Sequence, residues 1–123
     1  FERAMDHVKS VVDTSYIEGT RATLTEISRR LPMELKDGNV ELFEHIQSVC
    51  NKYELERIES SFKGGGSDSA YTVLAGVPSV CSVGTIGEGA HTIFEKSRID
   101  SLTARAKMLA AAILELPDDF GCE

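Results

Sequence analysis

A chain of 123 residues suffices for one domain with one sizeable core, and 41% hydrophobic and 27% charged residues are ordinary for a globular protein. The net charge of −7 repels nucleic acid and anionic membranes, so neither is an expected partner. The longest apolar stretch, within 104–116, is interrupted by Arg105 and Lys107, which excludes a membrane span there.

The chain opens on Phe1, with no initiator Met, basic leader or signal-peptide apolar run, so a processed or excised piece of something longer is expected. From Phe1 to about Thr14, Ala4, Val8, Val11 and Val12 share one face at helical spacing. The Thr-rich run Thr20–Ile27 predicts a half-exposed strand. Pro32 and the Asp37-Gly38-Asn39 cluster mark a connection, which makes this stretch the best candidate for a domain boundary. Asn39 is placed to cap an amphipathic helix to about Lys52, with Leu42, Ile46, Val49 and Tyr53 as its apolar stripe. A strand is predicted over Leu55–Ser60. After Gly64-Gly65-Gly66, Ser67 or Asp68 caps a short helix ending at Gly76, and Val77–Val83 reads as a buried strand. A loop is predicted from Gly84 to about Ile99. The last helix carries the stripe Leu102, Ala106, Leu109, Ile113 and Leu116, and Pro117 stops it. After the connection the order helix, strand, helix, strand, helix predicts an α/β fold with a mostly parallel sheet and sites at the strands' carboxyl ends.

Two glycine-framed polar segments, Gly64-Gly65-Gly66-Ser67-Asp68 and Gly87-Glu88-Gly89-Ala90-His91, lie at those ends and read as two walls of one site. The glycine triplet leads into a helix, where free N–H groups favour a carboxylate or phosphate, but it has neither P-loop nor Rossmann spacing. A flexible capped loop is the plainer reading. His91 is either a solvent-facing loop imidazole or a metal ligand whose other nitrogen Glu95 orients. His7 and His45 read as helix-flank residues without a ligand. Arg29-Arg30 is either a solvated pair or one clamp for a substrate carboxylate. Cys50, Cys81 and Cys122 lack metal or redox spacing and read as two core thiols and one tail thiol in a reducing, cytoplasmic compartment. One good histidine and no nucleophile elbow do not complete an active site.

The ordered series Gly64-Gly65-Gly66-Ser67-Asp68-Ser69-Ala70, Gly76-Val77-Pro78, Gly84 to Gly89, Ala90-His91-Thr92, Glu95 and Ile99-Asp100-Ser101-Leu102 resembles the C-terminal part of the di-zinc exopeptidases. That family includes glutamate carboxypeptidase, acetylornithine deacetylase, succinyl-diaminopimelate desuccinylase and aminoacylase. The resemblance runs from about Arg21 to Leu116. It implies that residues 1–31 end a lid and dimerisation domain and that 32–123 are the last part of a zinc-dependent catalytic domain. It implies further that His91 is a zinc ligand and that Gly65, Gly66 and Ser67 border the substrate. Arg29 would contact the substrate carboxylate, with Arg30 left open by one position of register. The implied substrate is a small peptide or N-acyl amino acid, and the implied assembly a homodimer. The family's other zinc ligands, its Glu-Glu pair with the general base, and its lid histidine would lie before Phe1. The expectation is therefore an inactive piece of a zinc exopeptidase or deacylase. The alternative is a carboxylate-binding or dimerisation module without catalysis.

Overall fold

The structure is a computed structural model that describes residues 1–121. Its contacts divide the chain into two compact units, Phe1–Pro32 and Met33–Glu123.

The first unit holds helix α1, Glu2–Asp13. Glu2 lies in its first turn, where a carboxylate favours the helix dipole, and Thr14 Oγ1 donates to Ser10 O at 2.7 Å at the other end. None of its residues is buried, and Val8 and Val11 of its apolar face are 41% and 43% exposed. The strand expected at Thr20–Ile27 does not form: the segment carries no regular pairing, and Ile27 is 94% exposed. β-Propensity measures how well a side chain fits a paired, half-buried surface, and within this unit no second strand offers that surface.

In the second unit, helix α2 (Asp37–Lys52) packs against helix α4 (Ile99–Leu114). Their contact is the core, made by Ile46, Cys50, Met108 and Ala112. Leu42, Leu55, Ile58, Val80, Val83 and Leu109 pack around it. α2 begins two positions before the expected cap. Asn39 sits inside the helix, only 6% exposed, with Nδ2 donating to Glu34 O at 3.1 Å and Oδ1 accepting from Ser79 N at 3.2 Å. It thus ties the connection before α2 to the segment after α3. Gly38 allows that approach, because a Cβ there would stand 2.9 Å from Pro78 Cγ.

The buried face of α4 is Ser101, Met108 and Ala112, with Arg105 between them at helical spacing. This corrects the predicted stripe by one position: Leu102 and Ile113 are 59% and 71% exposed. Apolar residues of α4 fall on more than one side, so periodicity does not choose its buried side; contact with α2 does. His45, expected on a flank without a role, joins the two helices, its Nε2 lying 2.9 Å from Ala112 O, a carbonyl in the last turn of α4. Beside it, Glu115 pairs with Lys52 at 2.6 Å and accepts from Tyr53 Oη.

The predicted parallel sheet is absent from the described residues. The pairing present is a two-stranded antiparallel sheet, β1 (Gly87–Glu88) with β2 (Lys96–Ser97), inside what the sequence suggested was loop. Strands of two residues leave no periodicity to detect. The segments 55–60 and 77–83 are unassigned, yet Leu55, Ile58, Val80 and Val83 on them reach the core. Between 77–83 and the triplet loop lies helix α3, Ser69–Leu74, which buries Ala70 and Val73 and is closed by Gly76 at φ 84°.

Candidate functional site

The hairpin is built on Ser101. Ser101 Oγ donates to Arg98 O at 2.6 Å and accepts from Ile86 N at 2.9 Å, and the residue is 2% exposed. Both chain ends of the hairpin are therefore fastened to the start of α4. Arg98 N donates to Ile86 O at 2.9 Å, the pairs Gly87 with Ser97 and Glu88 with Lys96 continue the ladder, and Lys96 Nζ meets Glu88 Oε1 at 2.9 Å. Gly87 is required by crowding: a Cβ would come within 2.7 Å of Lys96 O.

His91 sits in the turn that closes this hairpin. Thr92 N and Thr92 Oγ1 both donate to Gly89 O, at 3.1 and 2.7 Å, while Thr92 Oγ1 accepts from Phe94 N and Thr92 O from Glu95 N, each at 3.1 Å. Gly89 has φ 70°, and a Cβ there would press on Phe94 O at 2.9 Å. His91 itself has φ 64°, left-handed backbone that non-glycine residues seldom adopt. Its N–H donates to Glu95 Oε2 at 3.1 Å. Glu95 was expected to hold the imidazole; it holds the peptide N–H instead. The residue is exposed, and its ring makes no hydrogen bond within the described residues.

The Gly64–Asp68 loop is organised through Ser67. Its Oγ accepts from Ser69 N at 3.2 Å, at the start of α3, and lies 3.0 Å from Cys81 Sγ. Asp68 occupies the N-cap position without a side-chain cap bond. Gly64 and Gly65 face open space, with nothing within 4 Å of a Cβ at either. Cys81, expected in the core, is exposed, whereas Cys50 is buried. On the extended segment 77–83, Val80 and Val83 pack against the core, while Cys81 and Ser82 between them are exposed and Ser82 takes φ 61°. Hydrogen bonding by Ser67, then Ser82, holds the Cys81 thiol below its ordinary pKa, while burial pushes that of Cys50 up. Cys122 lies outside the described residues.

Arg29 belongs to the first unit. Its Nε and Nη2 each reach Glu26 at 2.8 Å, its Nη1 reaches Glu2 at 3.4 Å, and its guanidinium carbon stands 5.6 Å from the Phe1 ring centre. A substrate carboxylate at Arg29 would have to displace Glu26 from a bidentate pair.

Among the described residues, no group of three or more His, Cys, Asp or Glu side chains is arranged to hold a metal ion. The His91 imidazole is exposed on a fastened turn, the described residues gather no further metal-binding side chains around it, and no reaction step through a metal follows from this chain's residues.

The sequence matches Peptidase family M20/M25/M40 over residues 4–115. The chain belongs to that family. Membership places the chain in a family of metallopeptidase hydrolases. Neither the curated proteins nor the solved structures gave a match. No helix of the described residues is long and apolar enough to cross a membrane.

Proposed function

We propose that this chain is the C-terminal part of a zinc-dependent M20-family exopeptidase or amidohydrolase. The parent cleaves an amide bond next to a free carboxylate, in a small peptide or an N-acyl amino acid. Residues 1–31 end its lid and dimerisation domain, residues 32–123 close its catalytic domain, and the assembly is a homodimer in the cytoplasm. The observation that carries the site assignment is the presentation of His91, an unengaged imidazole on a turn that Ser101, Gly87 and Gly89 hold in place. In this reading His91 is one zinc ligand. Bound zinc supplies a hydroxide near neutral pH and polarises the scissile carbonyl. Gly65, Gly66 and Ser67 border the substrate, where open space at Gly65 admits a ligand close to the backbone. Arg29, or Arg30 beside it, receives the substrate carboxylate.

The reading of the chain as part of a larger domain is supported by the segments 55–60 and 77–83. Each contributes apolar side chains to the core, yet among the described residues neither belongs to a sheet. Extended segments that seat one side on a core are the kind that pair with further strands.

The test has two arms. The purified 123-residue chain with added zinc is expected to hydrolyse no dipeptide or N-acyl amino acid above a His91→Ala control, because one ligand does not build a catalytic site. In the intact enzyme His91→Ala is expected to lower zinc content and reduce turnover by roughly a thousandfold or more, the scale that activating a bound water contributes. Normal zinc content and turnover in that variant would overturn the assignment. Zinc-dependent hydrolysis by the short chain would overturn its being an incomplete part.

A further inference from the structure

We propose that Glu95 is the positioning residue for His91: its carboxylate, by accepting the His91 N–H, holds the left-handed backbone that turns the imidazole outward. The hydrogen bond is 3.1 Å long and spans four residues, and His91 φ is 64°. The proposal rests on the reading of His91 as a ligand for its purpose, but not for its geometry.

The other bonds of the turn act beside this one and leave the His91 N–H to Glu95. Thr92 binds back to Gly89, Phe94 N donates to Thr92 Oγ1, and Glu95 N donates to Thr92 O. The Thr92 N–Gly89 O bond closes a turn in which His91 is the third residue, a place where left-handed backbone is common, but none of these bonds engages the His91 N–H. Gly89 adopts its φ of 70° without cost because it has no Cβ, whereas His91 has one and needs a local partner to stay there. Glu95 also closes the ring from the other side. Its own N–H is fastened to Thr92 O at 3.1 Å, so its side chain starts from a fixed base and returns to His91. Lys96 does not compete for it, because Lys96 Nζ is paired with Glu88 at 2.9 Å on the opposite strand. A ligand that must meet a metal from one direction gains from a backbone already in place, since ordering it on binding would cost affinity.

The role predicts a coupling that a bystander carboxylate lacks. Glycine takes left-handed backbone freely, so His91→Gly removes the need for Glu95. Amide hydrogen exchange by NMR, on the metal-free 123-residue chain, reads this directly. In Glu95→Ala the His91 amide and the Thr92 amide are expected to exchange about five- to tenfold faster, the scale of one lost hydrogen bond. Glu95→Gln keeps a carbonyl acceptor and is expected to exchange within about twofold of the original chain. In the His91→Gly background, adding Glu95→Ala is expected to leave Thr92 exchange unchanged. Equal Thr92 acceleration in both backgrounds would refute the positioning role, and so would a His91 amide indifferent to Glu95→Ala. Zinc is absent from these measurements, so they stand or fall separately from the metal assignment. That assignment is read by zinc content in the intact enzyme, as above.

Discussion

On the hairpin turn His91 holds a φ of 64° with its N–H on Glu95 Oε2, and at the glycine loop Ser67 Oγ lies 3.0 Å from Cys81 Sγ. His91 was marked by glycines and small residues around it, and the structure places it on an exposed turn. Glu95 was marked by spacing alone, and its partner proved to be a peptide N–H, which no side-chain pattern encodes. Cys81 looked like a core thiol because free cysteines usually are. Its exposure is not encoded by period-two patterning, because Val80 and Val83, three positions apart, both reach the core and Ser82 between them takes left-handed backbone. Its environment makes a pH-dependent prediction. Hydrogen bonding by Ser67 stabilises the thiolate, so Cys81 should be alkylated at lower pH than an ordinary exposed thiol, and far faster than Cys50. Ser67→Ala should move the pH midpoint of Cys81 alkylation upward, since the leading cause of the lowered value is removed. Peptide-resolved mass spectrometry after timed iodoacetamide exposure measures both midpoints. An unmoved Cys81 midpoint in Ser67→Ala would show that Ser82 and Ser69 set the thiol without Ser67.

At the scale of elements, α1, α2 and α4 were all foreseen within two or three residues of their observed ends, because long amphipathic or apolar runs declare themselves. Which face α4 buries was not. Its Leu-rich stripe competes with a narrower one of Ser101, Arg105, Met108 and Ala112, and hydrophobicity favours the wrong choice. The narrower stripe wins because small Ala112 lets α2 come near and Ser101 is needed to fasten the hairpin. This yields opposite expectations for two substitutions on one helix. Met108, 2% exposed, should lose about 2–5 kcal/mol on replacement by alanine. Leu102→Ala, at a side chain 59% exposed, should change stability by about 0.5 kcal/mol or less in this chain. Urea unfolding followed by helix circular dichroism separates them. A larger loss at Leu102 than at Met108 would mean that the sequence-derived stripe is the one in contact.

For the whole molecule, alternation of helix and strand pointed to an α/β fold, and its helices and mixed composition are present. The parallel sheet is not among the described residues, because extended segments become a sheet only when partners supply the other half of every hydrogen bond. What remains is apolar surface without a cover. In the first unit Tyr16, Ile17 and Ile27 are 72%, 68% and 94% exposed, and in the second Phe62, Ile93 and Leu114 are 96%, 93% and 85% exposed. Solitary exposed apolar residues are common, but this many large ones on so short a chain favour association. The net charge of −7 opposes it by mutual repulsion. Salt distinguishes the two effects. Raising ionic strength from about 0.01 M to 0.15 M shortens the screening length from roughly 30 Å to 8 Å, which weakens repulsion and leaves hydrophobic contact intact. The chain should therefore self-associate in a concentration-dependent manner, and more strongly at the higher salt. Multi-angle light scattering across a concentration series at both salts measures this. A strict monomer at the highest concentration in both would mean that the exposed side chains are too dispersed to form a contact. Association that weakens with salt would instead assign it to charge pairs such as those of Arg29 and Lys96.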